Sequence, residues 1–91
     1  MVAEEVEVDA VREEILAWWL KKVLLPFLGK RFPEFLATLL DYLELPRHGK
    51  EVILLRYVSG KDWKEIGPMV GLEDRQVFSV HKKCIEKLIL P

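Results

Sequence analysis

Ninety-one residues, 51% of them hydrophobic and 32% charged, make one folded domain with a modest core, which excludes a disordered chain. A lone cysteine, Cys84, excludes an internal disulfide framework and suits a reducing cytoplasm. The net charge of −1 conceals an asymmetry: residues 1–46 hold 5 Lys+Arg against 9 Asp+Glu, a balance of −4, and residues 47–91 hold 9 against 6, a balance of +3. A polyanionic partner is therefore expected to meet the second half.

The N-terminus is acidic (Glu4, Glu5, Glu7, Asp9), where a secretory leader would be basic. The most apolar stretch, ILAWWLKKVLLPFL, carries Lys21 and Lys22 at its middle and falls short of the roughly 20 clean apolar residues of a membrane span. A cytoplasmic location without a membrane partner is expected.

In chain order, the first predicted helix runs from about Glu5 to Leu25 and is stopped by Pro26. Val8, Val11, Ile15, Leu16, Trp19, Leu20 and Val23 recur on it at helical spacing, and Trp18, Leu24 and Leu25 widen that face. A helix so apolar calls for more than one neighbour. The second predicted helix starts near Pro33, whose missing N–H is not needed in a first turn, and ends at Pro46. Its apolar positions are Phe32, Phe35, Leu36, Leu39, Leu40 and Leu43, with Glu34, Thr38, Asp41 and Glu44 outside. Residues 1–45 thus read as an acidic, aromatic-rich helical hairpin. Its Trp18, Trp19, Phe27 and Phe32 either pack in the core or form a homodimer interface.

No strand-like alternation occurs, so the fold class is all-α. Residues 46–91 hold three shorter predicted helices at about 48–58, 62–70 and 74–90. Between the last two lies KDWKEIGPMVGLEDRQV. Asp62 is a candidate N-cap with Glu65 completing a capping box, and Trp63, Ile66 and Val70 share one face. Pro68 lacks an N–H and threatens to kink or shorten this helix. Gly71 supplies the left-handed residue that ends a helix, Leu72 plugs the turn, and Gly67 allows close approach. Val77, Val80, Cys84 and Leu88 form the buried stripe of the last helix. This is the pattern of a helix-turn-helix, whose second helix enters the major groove of DNA.

The wider sequence sharpens the reading. LPRHGKEVILLRYVSGKDWKEIGPMVGLEDRQVFSVHKKCIEKL resembles region 4 of bacterial sigma-70 factors. Glu51, Val52, Ile53, Leu55, Arg56 and Tyr57 match an E-V-L-x-L-R-Y helix, and Glu65, Ile66 and Gly67 match E-I-G/A. Gly71, Leu72 and Glu73 stand at the G-L/V-S turn, and Cys84 to Leu88 at the A-L-x-K-L ending. W-x-E-I and R-Q-V-[YF]-x-x-H-x-x-x-[LI]-x-K-L also look like small phage and prophage transcription regulators of the ArpU/RinA type. The resemblance covers about the last 47 residues. It implies a sigma-region-4-like helix-turn-helix following the helical hairpin, base readers at positions 74, 75, 78 and 79, and a phosphate contact at Lys83; residues 1–44 have only a loose counterpart, a helical N-terminal segment.

On the exposed side of the last helix, Arg75 and Gln76 are the candidate base readers with Ser79 assisting. Arginine grips guanine and glutamine grips adenine through paired hydrogen bonds. Lys61, Lys64, Lys82 and Lys83 are the candidate phosphate contacts. Asp74 departs from the family, which carries a basic residue there, and Glu73 replaces the serine cap. Both suit the helix dipole and repel phosphate.

His81 is expected to pack or hydrogen-bond at a helix interface, Cys84 to be a core residue, and Phe78 to pack on the hairpin or lie beside the DNA backbone. No phosphate loop, metal-ligand spacing or nucleophile–base pair is present, so neither a cofactor, a metal nor catalysis is expected. The leading expectation is a transcription regulator that binds duplex DNA as a homodimer. The alternative is a non-catalytic interaction module that binds RNA polymerase or a sigma factor through the same fold.

Overall fold

The computed structural model describes the backbone of residues 2–89 and the side chains of residues 11–89. The first helix does not stop at Pro26. α1 (Val2–Trp19) passes through a π-helical turn (Leu20–Leu24) directly into α2 (Leu25–Arg31). The Leu25 N–H donates to the Leu20 carbonyl, five residues back. A proline has no N–H to return to the preceding turn, and its ring crowds the carbonyl four residues earlier. A wider turn placed just upstream relieves both problems, so the rod continues to Arg31.

α3 (Pro33–Tyr42) then folds back, followed by α4 (Gly49–Tyr57), α5 (Trp63–Val70) and α6 (Asp74–Ile89), so that every regular element among the described residues is helical. The three last helices lie where the periodicity puts them. Pro68 does not cut α5 short, because it sits on the exposed side near the end of an eight-residue helix.

One core joins the two halves of the chain. Leu20, Leu25 and Leu28 from the rod and Leu36 and Leu40 from α3 meet Ile53 of α4 and Cys84 and Ile85 of α6. Two glycines permit that closeness. A Cβ on Gly29 would overlap the Tyr57 carbonyl oxygen, and one on Gly49 would come within 2.7 Å of the Cys84 Sγ. A second, smaller cluster of Val52, Ile66 and Val77 holds α4, α5 and α6 together, with Trp63, Val70 and Leu72 packed at its edge.

The apolar face predicted for the first helix is not the buried one. Leu20 is buried, whereas Val11, Ile15, Leu16, Trp19 and Val23 are all exposed. Val8 lies outside the described side chains. On α3, Leu36 and Leu40 are buried but Phe32 and Phe35 face solvent. The molecule is correspondingly elongated, 47 Å in its long direction with a radius of gyration of 14.1 Å, against about 12 Å for a compact chain of this length.

Candidate nucleic-acid interface

The turn between α5 and α6 is built by three residues. Gly71 takes φ 75° and ψ 31°, a left-handed conformation that is strained for any residue with a Cβ. Both its N–H and that of Leu72 reach the Gly67 carbonyl, Leu72 at 2.8 Å. A Cβ on Gly67 would lie 2.7 Å from the Leu72 carbonyl oxygen, so the small residue is needed for the turn backbone itself. The half-buried Leu72 then anchors the turn in the second cluster.

The capping chemistry differs from expectation at both helix starts. Asp62 occupies the N-cap of α5 but its side chain makes no capping hydrogen bond. Glu65 does not complete a box; its carboxylate lies 3.9 Å from Lys61. At α6 the Glu73 N–H donates to Gln76 Oε1 at 2.9 Å, which is half of a capping box supplied by glutamine. This occupies the oxygen that Gln76 would need for a paired grip on adenine, so reading a base would release the cap.

α6 buries Val77, His81, Cys84 and Ile85 and exposes Arg75, Gln76, Ser79, Lys82, Lys83 and Glu86. Arg75, Gln76 and Ser79 therefore share the exposed N-terminal half of the helix. The four lysines are dispersed. Lys61 is tied to Glu65, and Lys64 is exposed beside Asp62, Asp74 and Phe78 in a shallow cleft. Lys82 lines the groove between α1 and α6 with Glu13, Glu14 and Glu86. Lys83 lies on another flank, near Glu44 and Pro46. Acids thus stand beside Lys64, Lys82 and Lys83 alike and lower the potential that a phosphate would meet at each, with Lys21 partly offsetting them in the groove of Lys82.

A cluster around Trp63 fixes α5 against its neighbours. The Arg56 guanidinium sits 4.6 Å above the Trp63 ring, and its Nη1 donates to the Lys61 carbonyl at 3.1 Å. Phe78 lies 5.2 Å from Trp63, centroid to centroid, and is half exposed. It packs on α5, not on the hairpin as one reading had it. Arg56 also lines the cleft that holds Lys64, a cation the sequence marked only as part of a helix motif. Arg56 and Trp63 stand on different helices, so periodicity held no signal of their contact.

His81 is a structural residue. It is buried and shares a 2.8 Å hydrogen bond with the Tyr57 hydroxyl, with its ring edge-on to Trp63. Burial, aided by the positive charges of Lys21 and Arg56, lowers its pKa to about 4, so it is neutral at neutral pH. Burial likewise pushes the Tyr57 hydroxyl up to about 12, against the opposing charge of Arg56, and the Cys84 thiol up to about 11. Cys84 is thus a buried, unreactive thiol.

The four aromatic residues assigned to either core or interface, Trp18, Trp19, Phe27 and Phe32, are all exposed, with Phe27 and Phe32 in edge contact at 6.0 Å. Among the described residues no group of three His, Cys, Asp or Glu could hold a metal ion, and no helix is long and apolar enough to cross a membrane. No protein family matches the chain, and neither a curated protein nor a solved structure does.

Proposed function

We propose that the chain is a transcription regulator that binds duplex DNA sequence-specifically, with α5 and α6 acting as a helix-turn-helix and α6 entering the major groove. The observation that carries this reading is the exposed first half of α6, where Arg75 and Ser79 stand on a helix held in place by a glycine turn. The likeness of residues 45–88 to region 4 of sigma-70 factors supports it.

In this reading Arg75 contacts guanine, and Ser79 assists at a neighbouring base. Gln76 reads adenine once its cap is released. Lys64, Lys82 and Lys83 position the helix on phosphates, and Lys61 contributes after leaving Glu65. Arg75→Ala should then cost about 1–3 kcal/mol at the preferred site and little at an unrelated duplex. Fluorescence anisotropy on the two duplexes measures the difference, and equal losses on both would refute the base-reading role.

A second reading draws on a different observation. Glu73 and Asp74 are exposed at the tip of α6 and Glu13 and Glu14 flank its later turns, an acidic setting that suits a protein partner such as RNA polymerase or a sigma factor. On that reading duplex DNA binds feebly and without preference, and Arg75→Ala disturbs only the protein complex.

A further inference from the structure

The rod made by α1, the π turn and α2 carries an unbroken apolar ridge on the side turned away from the core. Val11, Ile15, Trp19, Val23 and Phe27 follow one another at steps of four residues, and each is between 42% and 60% exposed. In an ideal helix, steps of four drift by about 40° each, so five residues would wind well round the cylinder. The wider π turn at Leu20–Leu24 takes out part of that drift between Trp19 and Phe27. The opposite side of the rod, with Ala17 and Leu20, is already used against the rest of the molecule.

Charge along the same rod is polarised. Glu13, Glu14 and Lys21 line the groove toward α6; leaving them aside, the sequence of residues 2–12 contains four acidic residues and one arginine, and that of residues 22–31 three basic residues and no acid. A second copy laid alongside in parallel would set like charges together. Laid antiparallel, it sets the acidic end of each rod against the basic end of the other, and it opposes the helix dipoles. The surface is self-complementary in that one direction only, as a two-fold interface requires.

We infer that the occupant of this ridge is a second copy of the chain, with the two rods packed antiparallel about Trp19. Ile15 then faces Val23 of the second copy, and Val11 faces its Phe27. Contact kept from Val11 to Phe27 calls for a shallow crossing of about 20°, the geometry of helices packed side by side in bundles. If α6 reads DNA as proposed above, the two helix-turn-helix units are related by the same two-fold axis and the preferred site is an inverted repeat.

The test uses the full chain without DNA, so its failure and that of the DNA reading are separable. Sedimentation at tens of micromolar should give about twice the 10.7 kDa chain mass. Ile15→Glu should weaken the association by at least about 30-fold, the loss expected of an interface anchor. Its helicity should match the parent, and its melting should match once the parent is diluted to a single chain, because Ile15 is 60% exposed in the single chain. For direction, Ile15→Cys protein is mixed with Val23→Cys protein and treated with a short bis-maleimide; the buried Cys84 does not compete. Mixed cross-links should exceed those of either variant alone. A single-chain mass, an unaffected Ile15→Glu dimer, or Ile15→Cys cross-linking best to itself would each overturn the proposal.

Discussion

The Tyr57–His81 hydrogen bond ties α4 to α6 behind the candidate reading face, and its chemistry makes a pH signature. Unfolded, a histidine titrates near 6.5; in this fold His81 titrates at about 4. As pH falls below about 6.5 the unfolded chain takes up a proton that the folded chain refuses, so stability drops until about pH 4 and this contribution then levels off. The full effect is on the order of 3 kcal/mol at most. Melting temperatures of wild type and His81→Gln, followed from pH 7 to 4.5, should converge as the pH is lowered, with wild type losing more. Trp63 is the other anchor here. It is half-buried between Arg56, Phe78 and His81, so Trp63→Ala should cost about 2–3 kcal/mol, somewhat less than a fully buried Trp, and lower the melting temperature by roughly 10 °C or more. A melt like the parent's would show that this cluster holds nothing together. Burial of Cys84 was legible from the apolar stripe of α6, and His81 was expected at its edge, whereas Val80 and Leu88 of that stripe are only half-buried. The partner of Phe78 and the cap made by Gln76 were not legible, because periodicity gives a side chain's angle on its helix and not the neighbour it meets.

At the scale of elements, α4, α5 and α6 were legible from their apolar spacing and from the residues that break it, of which Gly71 is the clearest. Its φ of 75° leaves open space around an added Cβ, so Gly71→Ala should cost only the left-handed strain, about 1–2 kcal/mol. Gly67→Ala should cost at least as much by a different route, since its Cβ would push on the Leu72 carbonyl and shift the start of α6. Urea unfolding of the two variants measures both, and a neutral Gly67→Ala would contradict the turn geometry. The rod was misread for an equally local reason. A proline usually ends a helix, but here the preceding turn widens to accommodate Pro26, and no residue type in LKKVL announces a π turn. Asp62 shows the converse: a residue suited to capping stands in the right position and makes no capping bond.

For the whole molecule, the sequence shows that the first helix has an apolar stripe but not which side is covered from within. Here the core takes Leu20, Leu25 and Leu28, and leaves Val11, Ile15, Trp19, Val23 and Phe27 outside. The same arrangement brings Glu13 and Glu14 of α1 beside Lys82 of α6, a long-range consequence of chain path that periodicity does not carry. Each of Lys64→Ala, Lys82→Ala and Lys83→Ala should weaken DNA binding to all sequences alike and reduce the slope of log affinity against log salt by about 0.9. The measurement that bears most directly on the central claim is selection of bound duplexes from a random pool at two salt concentrations. Sequence-specific binding by α6 predicts one enriched sequence that persists at the higher salt, with the enrichment lost in Arg75→Ala and kept in Lys83→Ala. A pool that stays random at moderate salt, in wild type and variants alike, would contradict it.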